Sequence, residues 1–388
     1  MKIAIFTNNY LPNPYGVSGS IESFRKQFEA LGHTVYIFAP VWKDYADENS
    51  NVFRYPSLDI EFKFRFPLGI PYSRKIDKIL EGLDLDIIHS QHPNLLGSAA
   101  AKWAKKKNIP LVFTWHTLYD QYTHFFPIVP GKLAASWFIQ KAVKYANRAN
   151  TIITPTSSVI EIIKKWGVTN KNIQAIQTGV EEKIFQNADR NMTRERHGIK
   201  EDEIVLLLIS RITAEKNIEF IFRSLAGVIK NNQKVKFLVV GGGDLLPHLK
   251  MITKNEGIES QVAFTDMVPR SELGNYNAAG DIFVYSSKSE TQGIIITEAM
   301  YMGLPVVAVR ATGISDLVED GKTGFLVSEK EAEFARAAEK LISDKELRAE
   351  FSQEAKKIAR EKYTSKICAR KMLEVYGQAI QNFKSKIL

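Results

Sequence analysis

The sequence predicts an α/β protein with two parallel β-sheets in tandem. Short, continuous apolar runs alternate with segments of helical periodicity along almost the whole chain. That pattern is typical of parallel strands whose two faces are covered by helices. The chain has 388 residues, of which 45% are hydrophobic and 24% are charged. This length suits two domains, each with a core of its own.

The first half begins with a strand, a loop and a helix. Residues 2–7 form a short apolar run, and the Pro- and Gly-containing segment 11–19 follows it. Residues 20–31 then repeat apolar side chains at helical spacing. The same alternation predicts strands at 34–39, 86–89, 110–114 and 151–154, and helices at 73–83, 97–107, 131–149 and 157–166.

A second series begins near residue 203, so the boundary between the two sheets falls between 178 and 200. The segment from Glu329 to the end has few Gly or Pro residues and is predicted to be mostly helical. The second series predicts strands at 204–210, 236–240, 262–265, 282–285, 305–309 and 324–327, and helices at 217–230, 244–255, 271–278, 293–302 and 313–319.

Composition excludes several classes of protein. Cys368 is the single cysteine, which rules out an intrachain disulfide and any cysteine-based zinc site. The amino-terminal run turns polar at Thr7, too early for a signal peptide, and no run approaches the ~18 apolar residues of a membrane span. We therefore expect a cytoplasmic protein.

The positive charge is concentrated in the first half of the chain. The net charge is +9, and residues 1–180 hold 21 Lys and Arg against 13 Asp and Glu, whereas residues 181–388 hold 31 against 30. This asymmetry favours an anionic partner for the first half. Nucleic acid, anionic lipid and polyphosphate all fit, and so does an ordinary solvated basic face.

The segment 285–300 contains the strongest candidate site residues. A predicted strand ends near Tyr285 and a helix is expected to begin at Gly293. The first amides of a helix lack internal partners and favour anions, so a phosphate group is a natural ligand there. Glu290 lies in the loop and Glu298 lies on an otherwise apolar helix face. The alternative is a capping Glu290 and a salt-bridged Glu298.

Two further loops follow predicted strands. Arg211 and Lys216 come after the strand at 204–210, where two cations can neutralise a diphosphate leaving group, although solvated loop cations are common. The loop after residue 114 contains His116, Tyr122 and His124. A metal site is poorly supported there, and a packed polar loop is the alternative.

Together these residues resemble the nucleotide-sugar glycosyltransferases of family four, which are retaining enzymes. The resemblance rests on the Gly16 loop, His116, the pair of Arg211 and Lys216, and Glu290 separated from Glu298 by seven residues. It implies a GT-B architecture, in which two Rossmann-like domains face each other across a cleft. The expected domains are 1–182 for the acceptor and 183–365 for the nucleotide sugar, with a helix at 366–388 returning to the first domain.

The resemblance also implies a role for each site residue. Arg211 and Lys216 would hold the donor diphosphate, Glu290 the sugar hydroxyls and Glu298 the ribose. His116 would lie beside the transferred sugar, and His116, Arg211, Lys216 and Glu290 would be catalytic. The remaining donor-binding residues are expected to be Gly16, Ser210, Met267, Val268, Gln292, Gly293 and Ile294. Neither a metal nor a cofactor is implied.

The first half also carries basic segments with aromatic residues. Amphipathic helices of this kind can lie on anionic membranes, or they can pack on one side and face water on the other. Segments 10–12, 16–17 and 116–124 resemble bacterial diacylglycerol glucosyltransferases. The candidate acceptor or membrane residues are Tyr122, His124, Arg74, Lys75, Lys78, Trp137, Lys141 and Lys144.

The expected function is transfer of a hexose, glucose from UDP-glucose, to a lipid such as diacylglycerol, giving an α-linked glycolipid. The enzyme would then be peripheral on the inner face of the cell membrane. Three alternatives remain: the same chemistry on a soluble sugar or metabolite, a non-enzymatic nucleic-acid binder, and a sugar-nucleotide epimerase. Carboxylates facing phosphates would repel them, which speaks against the nucleic-acid binder.

Overall fold

The computed structural model describes residues 1–13, 16–62, 64–118, 131–288 and 290–386, except for the side chains of 60–66 and 131–134. The chain forms two compact units. The first unit comprises Met1–Thr178 with Cys368–Leu388, and the second comprises Gly179–Ile367. The predicted bounds at 182 and 365 lie a few residues from these divisions.

The first unit is built on a seven-stranded, wholly parallel sheet. Its order is β3-β2-β1-β6-β7-β8-β9, so the chain builds outward from β1 in one direction and then from β6 in the other. The strands of this unit are β1 (Lys2–Phe6), β2 (Thr34–Pro40), β3 (Val52–Tyr55), β4 (Ser57–Phe62), β5 (Phe64–Gly69), β6 (Ile87–Ser90), β7 (Leu111–Thr114), β8 (Thr151–Thr154) and β9 (Ile173–Ala175).

Helices cover both faces of this sheet, as the continuous apolar strands require. Successive side chains of a strand point to opposite faces. Accordingly, Ala4 and Phe6 of β1 belong to one core cluster, and Ile3 and Ile5 belong to another. The helices that lie in this unit are α1 (Val17–Ala30), α2 (Arg74–Gly82), α3 (Leu96–Lys107), α4 (Gly131–Ala146) and α5 (Ser157–Lys165).

The two faces carry different helices. Residues of α2, α3, α4 and α5 pack into the cluster of Ala4 and Phe6. Residues of α1 and of the last helix, α13 (Ser365–Lys384), pack into the cluster of Ile3 and Ile5. The last helix thus contributes Met372 and Tyr376 to the core of the first unit.

Four strands of the first unit were not predicted from the sequence. β4 and β5 form an antiparallel hairpin, whereas β3 and β9 are the two edges of the sheet. β9 has only three residues, and only one residue of β3 is fully buried. Short or half-exposed edge strands lack the continuous apolar run by which the central strands were recognised.

The second unit contains a six-stranded parallel sheet in the order β12-β11-β10-β13-β14-β15. All six strands agree with the predicted ones. They are β10 (Ile204–Ile209), β11 (Val235–Val240), β12 (Val262–Phe264), β13 (Ile282–Tyr285), β14 (Val306–Val309) and β15 (Gly324–Val327). The helices are α6 (Arg190–Arg196), α7 (Ile218–Lys230), α8 (Leu246–Glu256), α9 (Leu273–Ala279), α10 (Ile294–Tyr301), α11 (Glu331–Ser343) and α12 (Lys345–Lys362).

The helix predicted at 313–319 is wrong, because this segment consists of hydrogen-bonded turns. Its apolar residues Ile314, Leu317 and Val318 are buried at helical spacing. Gly313, however, has φ +78°, which a right-handed helix does not accommodate. A Cβ on Gly313 would lie 2.7 Å from the backbone oxygen of Glu290, so this turn closes directly onto the loop of that residue.

The carboxyl-terminal segment is helical, as predicted, in α11, α12 and α13. Within the described residues, none of the helices combines the length and the apolar character needed to cross a bilayer.

Candidate functional site

The second unit has a topological switch point between β10 and β13. From β10 the chain proceeds to β11 and β12 on one side, and β13 returns to the other side of β10. In open α/β sheets, ligands bind beyond the carboxyl ends of the strands at such a point. Lys216 follows β10 and Glu290 follows β13, so the fold brings these two predicted residues together.

The Glu290 carboxylate receives three donors. The Lys216 ammonium lies 3.1 Å from Oε2, and the Tyr285 hydroxyl donates to the same oxygen at 2.7 Å. The backbone amide of Gly293 donates to Oε1 at 3.2 Å. The side chains of Lys216 and Glu290 are only 13% and 16% exposed, so this ion pair is shielded from most of the solvent.

The same contacts set the ionisation of the pair. Burial raises the pKa of the Glu290 carboxyl, but the Lys216 charge and the hydrogen bonds from Tyr285 and Gly293 outweigh it, so the net pKa is lowered. Burial, followed by the nearby Glu290 charge, raises the pKa of Tyr285 well above its usual value. At neutral pH Glu290 is therefore a carboxylate and Tyr285 is a neutral phenol.

Gly293 shapes the start of α10. It precedes the helix in the left-handed region at φ +62°, which glycine adopts without steric cost. A Cβ at this position would lie 2.8 Å from Cδ1 of Leu317. A glycine is therefore needed both for the conformation and for the space, and it leaves the first-turn amides of α10 beside Glu290, where they favour an anion.

Arg211 is placed differently from Lys216. Its side chain is 53% exposed, and its guanidinium donates to Glu215 at 3.1 Å. It lies between β10 and the one-turn helix Ala214–Lys216. An exposed arginine held by a single surface ion pair can turn toward a ligand at little cost, since such pairs contribute at most about 1 kcal/mol.

Glu298 is in a buried ion pair. Its carboxylate is 1% exposed and accepts from Arg270 at 3.0 Å, and Arg270 also contacts Glu181 at 3.4 Å. Burial raises the pKa of Glu298, whereas the Arg270 charge opposes that rise, and the net pKa is raised. The salt-bridged Glu298 that the sequence left open is therefore present, with Arg270 as its partner.

The other predicted donor-binding residues of this unit lie at the same sheet edge. Ser210 directly follows β10, and its hydroxyl donates to the Arg211 carbonyl at 3.1 Å. Met267 is exposed, and Val268 is half-buried against the core. Gln292 and Ile294 flank Gly293 and are half-buried.

In the first unit the switch point lies between β1 and β6. Gly16 follows β1 at φ +52° and immediately precedes α1. Its backbone carbonyl accepts from the amide of Ser20 at 3.1 Å, and a Cβ on it would meet no atom of the described residues within 4 Å. Within the described part of the chain, the side that a side chain would occupy is therefore open.

His116 follows β7 in the same unit. Its Nε2 is 2.7 Å from the Gln91 side-chain oxygen, a pairing in which the imidazole donates. Burial, together with the neighbouring His92 and His89, lowers the pKa of His116 to about 3. His116 is therefore a neutral imidazole at physiological pH. Tyr122 and His124, predicted in the same loop, lie outside the described residues.

Three helices on one face of this sheet carry the predicted basic residues. Lys106 and Lys102 of α3 pair with Glu81 and Asp77 of α2, at 2.6 and 3.5 Å. The Trp137 side chain of α4 is 52% exposed. Among the described residues, no ion-pair partner lies within reach of Arg74, Lys75, Lys78, Lys141 or Lys144.

Across the described ranges, no cluster of three or more His, Cys, Asp and Glu side chains is arranged to hold a metal ion. The polar groups at the second unit's switch point are two cations, Arg211 and Lys216, the Glu290 carboxylate and the first amides of α10. This set suits an anionic, hydroxylated ligand.

Family models and related sequences agree with this arrangement. The model for glycosyltransferase family 4 matches residues 14–183, and the model for glycosyl transferases group 1 matches residues 189–358. An alpha-monoglucosyldiacylglycerol synthase of Streptococcus pneumoniae is 33% identical over 84% of this chain and 75% of its own length. The chain belongs to glycosyltransferase family 4.

A second glycosyltransferase, the alpha-monoglucosyldiacylglycerol synthase of Acholeplasma laidlawii, is 28% identical over 100% of this chain and 99% of its own length. Among solved structures, Anabaena HepE in complex with UDP and glucose aligns with a TM-score of 0.76 at 20% identity. That alignment covers 97% of this chain and 100% of HepE. At this identity the likeness establishes the GT-B fold of two Rossmann-like domains, which confirms the predicted fold class.

Two contacts of this glycosyltransferase's candidate site were not predicted. The sequence predicts Tyr285 only as the end of a strand, yet its hydroxyl donates to Glu290. Arg270 follows the short strand β12 and reaches Glu298, 28 residues away. The available signal was that Arg270 is a basic residue in a loop after a strand, the same position that singled out Arg211.

Proposed function

We propose that this glycosyltransferase transfers glucose from UDP-glucose to a lipid acceptor such as diacylglycerol, with retention at the anomeric carbon. The observation that carries the proposal is that two relatives of the same name, alpha-monoglucosyldiacylglycerol synthase, align over most or all of the chain. The UDP and glucose bound to the similarly folded HepE support the choice of donor.

The switch point supplies what a nucleotide diphosphate leaving group needs. Lys216, the exposed Arg211 and the first amides of α10 are cationic or donor groups at one sheet edge. As the bond from the sugar to the diphosphate breaks, negative charge develops on the phosphate oxygens. Donors placed at that position stabilise the charge in the transition state more than in the ground state.

The two glutamates are proposed to bind hydroxyl groups of the donor. Glu290 would accept from the sugar, since its carboxylate is ionised and lies beside the start of α10. Glu298 would accept from the ribose through Oε2, because Arg270 holds Oε1. The proposed contacts of Met267 and Val268 with the base, and of Gly16 with phosphate, follow from the family resemblance.

His116 is proposed to act beside the sugar as a neutral hydrogen-bonding group. A histidine whose pKa is about 3 stays uncharged while the acceptor hydroxyl attacks and the leaving group departs. In the front-face attack that the family resemblance implies, the acceptor oxygen bonds to the anomeric carbon on the face that the diphosphate leaves, and the departing diphosphate takes the acceptor's proton. We propose that neither a metal nor a cofactor takes part.

The basic face of the first unit is proposed to bind an anionic membrane surface. α2, α3 and α4 pack on the same side of the sheet, and α4 presents the exposed Trp137 with the Lys141 ammonium 4.3 Å from its ring centroid. Basic residues near an anionic surface contribute about 1 kcal/mol each. This binding would bring the enzyme to the leaflet that contains its acceptor.

Product analysis tests the reaction. The purified chain is incubated with UDP-glucose, UDP-galactose or GDP-mannose, and with diacylglycerol in vesicles or soluble sugars. We expect a glucosyl lipid only from UDP-glucose with diacylglycerol, with an α anomeric signal by NMR. Transfer only to the soluble acceptors would show that the acceptor is a soluble sugar or metabolite and not a lipid. A β-linked product would exclude retention.

Vesicle sedimentation tests the membrane surface. Replacing Arg74, Lys75 and Lys78 by Glu should weaken binding to vesicles rich in phosphatidylglycerol by roughly 100-fold or more, from about 1 kcal/mol per residue. A control with three exposed lysines of the second unit changed to Glu, at 230, 250 and 254, should bind normally. Equal losses in both variants would indicate an effect of net charge alone.

A further inference from the structure

Lys216 and Tyr285 both donate to the Glu290 carboxylate, but the structure gives them different roles there. We propose that Tyr285 is a positioning residue that keeps Glu290 oriented toward the sugar while Lys216 leaves that carboxylate for the donor diphosphate. This inference rests on the proposed function, since it names how the same site prepares itself for a nucleotide sugar.

The carboxylate has almost no free capacity to bind a sugar as it stands. An ionised carboxylate offers about four acceptor positions, two on each oxygen. Lys216 and Tyr285 occupy Oε2 at 3.1 and 2.7 Å, and the Gly293 amide occupies Oε1 at 3.2 Å. With these three described donors in place, one position remains, whereas a hexose presents neighbouring hydroxyl groups in pairs.

Lys216 is the donor that can leave. Its side chain is flexible and ends in a point charge, and a diphosphate carries more negative charge than a single carboxylate. Tyr285 cannot follow, because its ring is 1% exposed at the end of β13 and stacks on Phe283 with centroids 6.1 Å apart. The Gly293 donor is backbone and is equally fixed.

The departure of Lys216 makes the tyrosine more important. The carboxylate then loses its opposing charge while still shielded from water, a state that is costly without hydrogen bonds. Tyr285 and the Gly293 amide together contact both carboxylate oxygens, which fixes the plane of the group. The freed position on Oε2 and the remaining one on Oε1 are then available to two sugar hydroxyls.

The test compares Tyr285→Phe with the wild type in three measurements. Binding of UDP alone should change less than twofold, because UDP has no sugar for Glu290 to hold. The kcat/KM for UDP-glucose should fall roughly tenfold or more, in line with a hydrogen bond to a charged group, with most of the loss in kcat. The ratio of kcat/KM between UDP-glucose and UDP-galactose should fall as well.

Tyr276→Phe is the matched control. Tyr276 is also buried in the second unit, and among the described residues its hydroxyl is hydrogen-bonded only to the exposed Arg196, at 3.4 Å. We expect turnover and sugar preference to be unchanged in this variant. Equal effects of the two substitutions, or loss of UDP binding in Tyr285→Phe, would show that Tyr285 serves packing alone and would overturn the proposal.

Lys216→Met tests the proposed role of Lys216 at the diphosphate. This variant stays informative even where Tyr285→Phe folds poorly. Affinity for UDP should fall, but the preference for one sugar should persist, because Tyr285 still orients Glu290. Loss of sugar preference in Lys216→Met overturns the inference. Failure of the wild type to bind UDP or to transfer any sugar would instead refute the proposed function.

Discussion

At the residue scale, the pair of Lys216 and Glu290 differs from the surface ion pairs of the same unit. Its two side chains are 13% and 16% exposed. The carboxylate also accepts hydrogen bonds from the Tyr285 hydroxyl and the Gly293 amide. Removing one partner of a buried pair leaves an uncompensated charge. Lys216 is therefore expected to serve stability as well as the proposed catalysis, whereas the proposed role of the exposed Arg211 is chiefly to bind the ligand.

This difference predicts unequal effects of two similar substitutions. Both Lys216→Met and Arg211→Met should lower kcat about 100-fold or more, as loss of a preorganised charge-stabilising donor does. Only Lys216→Met should also lower the free energy of unfolding, by about 3 kcal/mol. Enzyme assays and urea denaturation followed by far-UV circular dichroism measure the two quantities.

The control is Lys234→Met, which breaks an exposed pair with Asp202 at 2.7 Å. Exposed pairs contribute at most about 1 kcal/mol, so both activity and stability should stay near the wild-type values. If Arg211→Met retained normal turnover with an intact fold, its role at the diphosphate would be excluded.

At the element scale, the start of α10 depends on a glycine that no other residue replaces without strain. Gly293→Ala introduces a Cβ at φ +62° and within 2.8 Å of Leu317 Cδ1. The left-handed conformation alone costs about 1–2 kcal/mol. The clash requires a shift of either the buried Leu317 side chain or the first turn of α10, and the amides of that turn face the proposed phosphate position.

Gly321→Ala separates the two effects. Gly321 has φ +75°, but a Cβ there would meet no atom of the residues that the structure describes within 4 Å. Both variants should lose about 1–2 kcal/mol of unfolding free energy, and only Gly293→Ala should lose UDP affinity and turnover. Equal activity of the two variants, measured at the same folded concentration, would contradict the placement of the phosphate at α10.

The elements also show how far sequence reasoning extends. The central strands were predicted because each is a continuous apolar run, a property that residues 282–285 or 306–309 carry by themselves. The segment 313–319 has the apolar spacing of a helix, but Gly313 turns left-handed to fit against the Glu290 backbone. That contact depends on the assembled fold.

The candidate site shows the same limit. Glu290, Lys216 and Gly293 were recognised because each follows a predicted strand, the position that the fold class assigns to ligand-binding residues. The contacts of Arg270 with Glu298 and of Tyr285 with Lys216 join residues from separate loops and strands. Local spacing does not encode which side chains meet, so these partners became visible only in three dimensions.

At the scale of the whole molecule, three buried histidines make the stability of the first unit depend on pH. The first unit buries His89 between the Tyr376 hydroxyl and the Thr114 hydroxyl, each 2.6 Å from a ring nitrogen. Burial lowers the pKa of His89 to about 3 and that of His92 to about 4, and it is the leading cause of the value of about 3 for His116. All three are neutral in the folded state near pH 5.

The sign of the resulting pH dependence follows from proton counting. In the unfolded chain these histidines titrate near 6.5, so below that pH the unfolded state binds more protons than the folded one. Stability then rises with pH and is lost progressively as pH falls from about 6.5 toward 4. Each fully protonated unfolded histidine contributes a slope of about 1.4 kcal/mol per pH unit.

The first unit can be followed separately because all five tryptophans, at 42, 103, 115, 137 and 166, lie in it. Urea denaturation monitored by tryptophan fluorescence should show the unfolding free energy falling between pH 7 and pH 5. His89→Gln keeps a donor and an acceptor for Tyr376 and Thr114 but does not titrate. In this variant the slope of the unfolding free energy against pH should be smaller by up to about 1.4 kcal/mol per pH unit. A slope equal to that of the wild type would mean that His89 is accessible to protons in the folded chain.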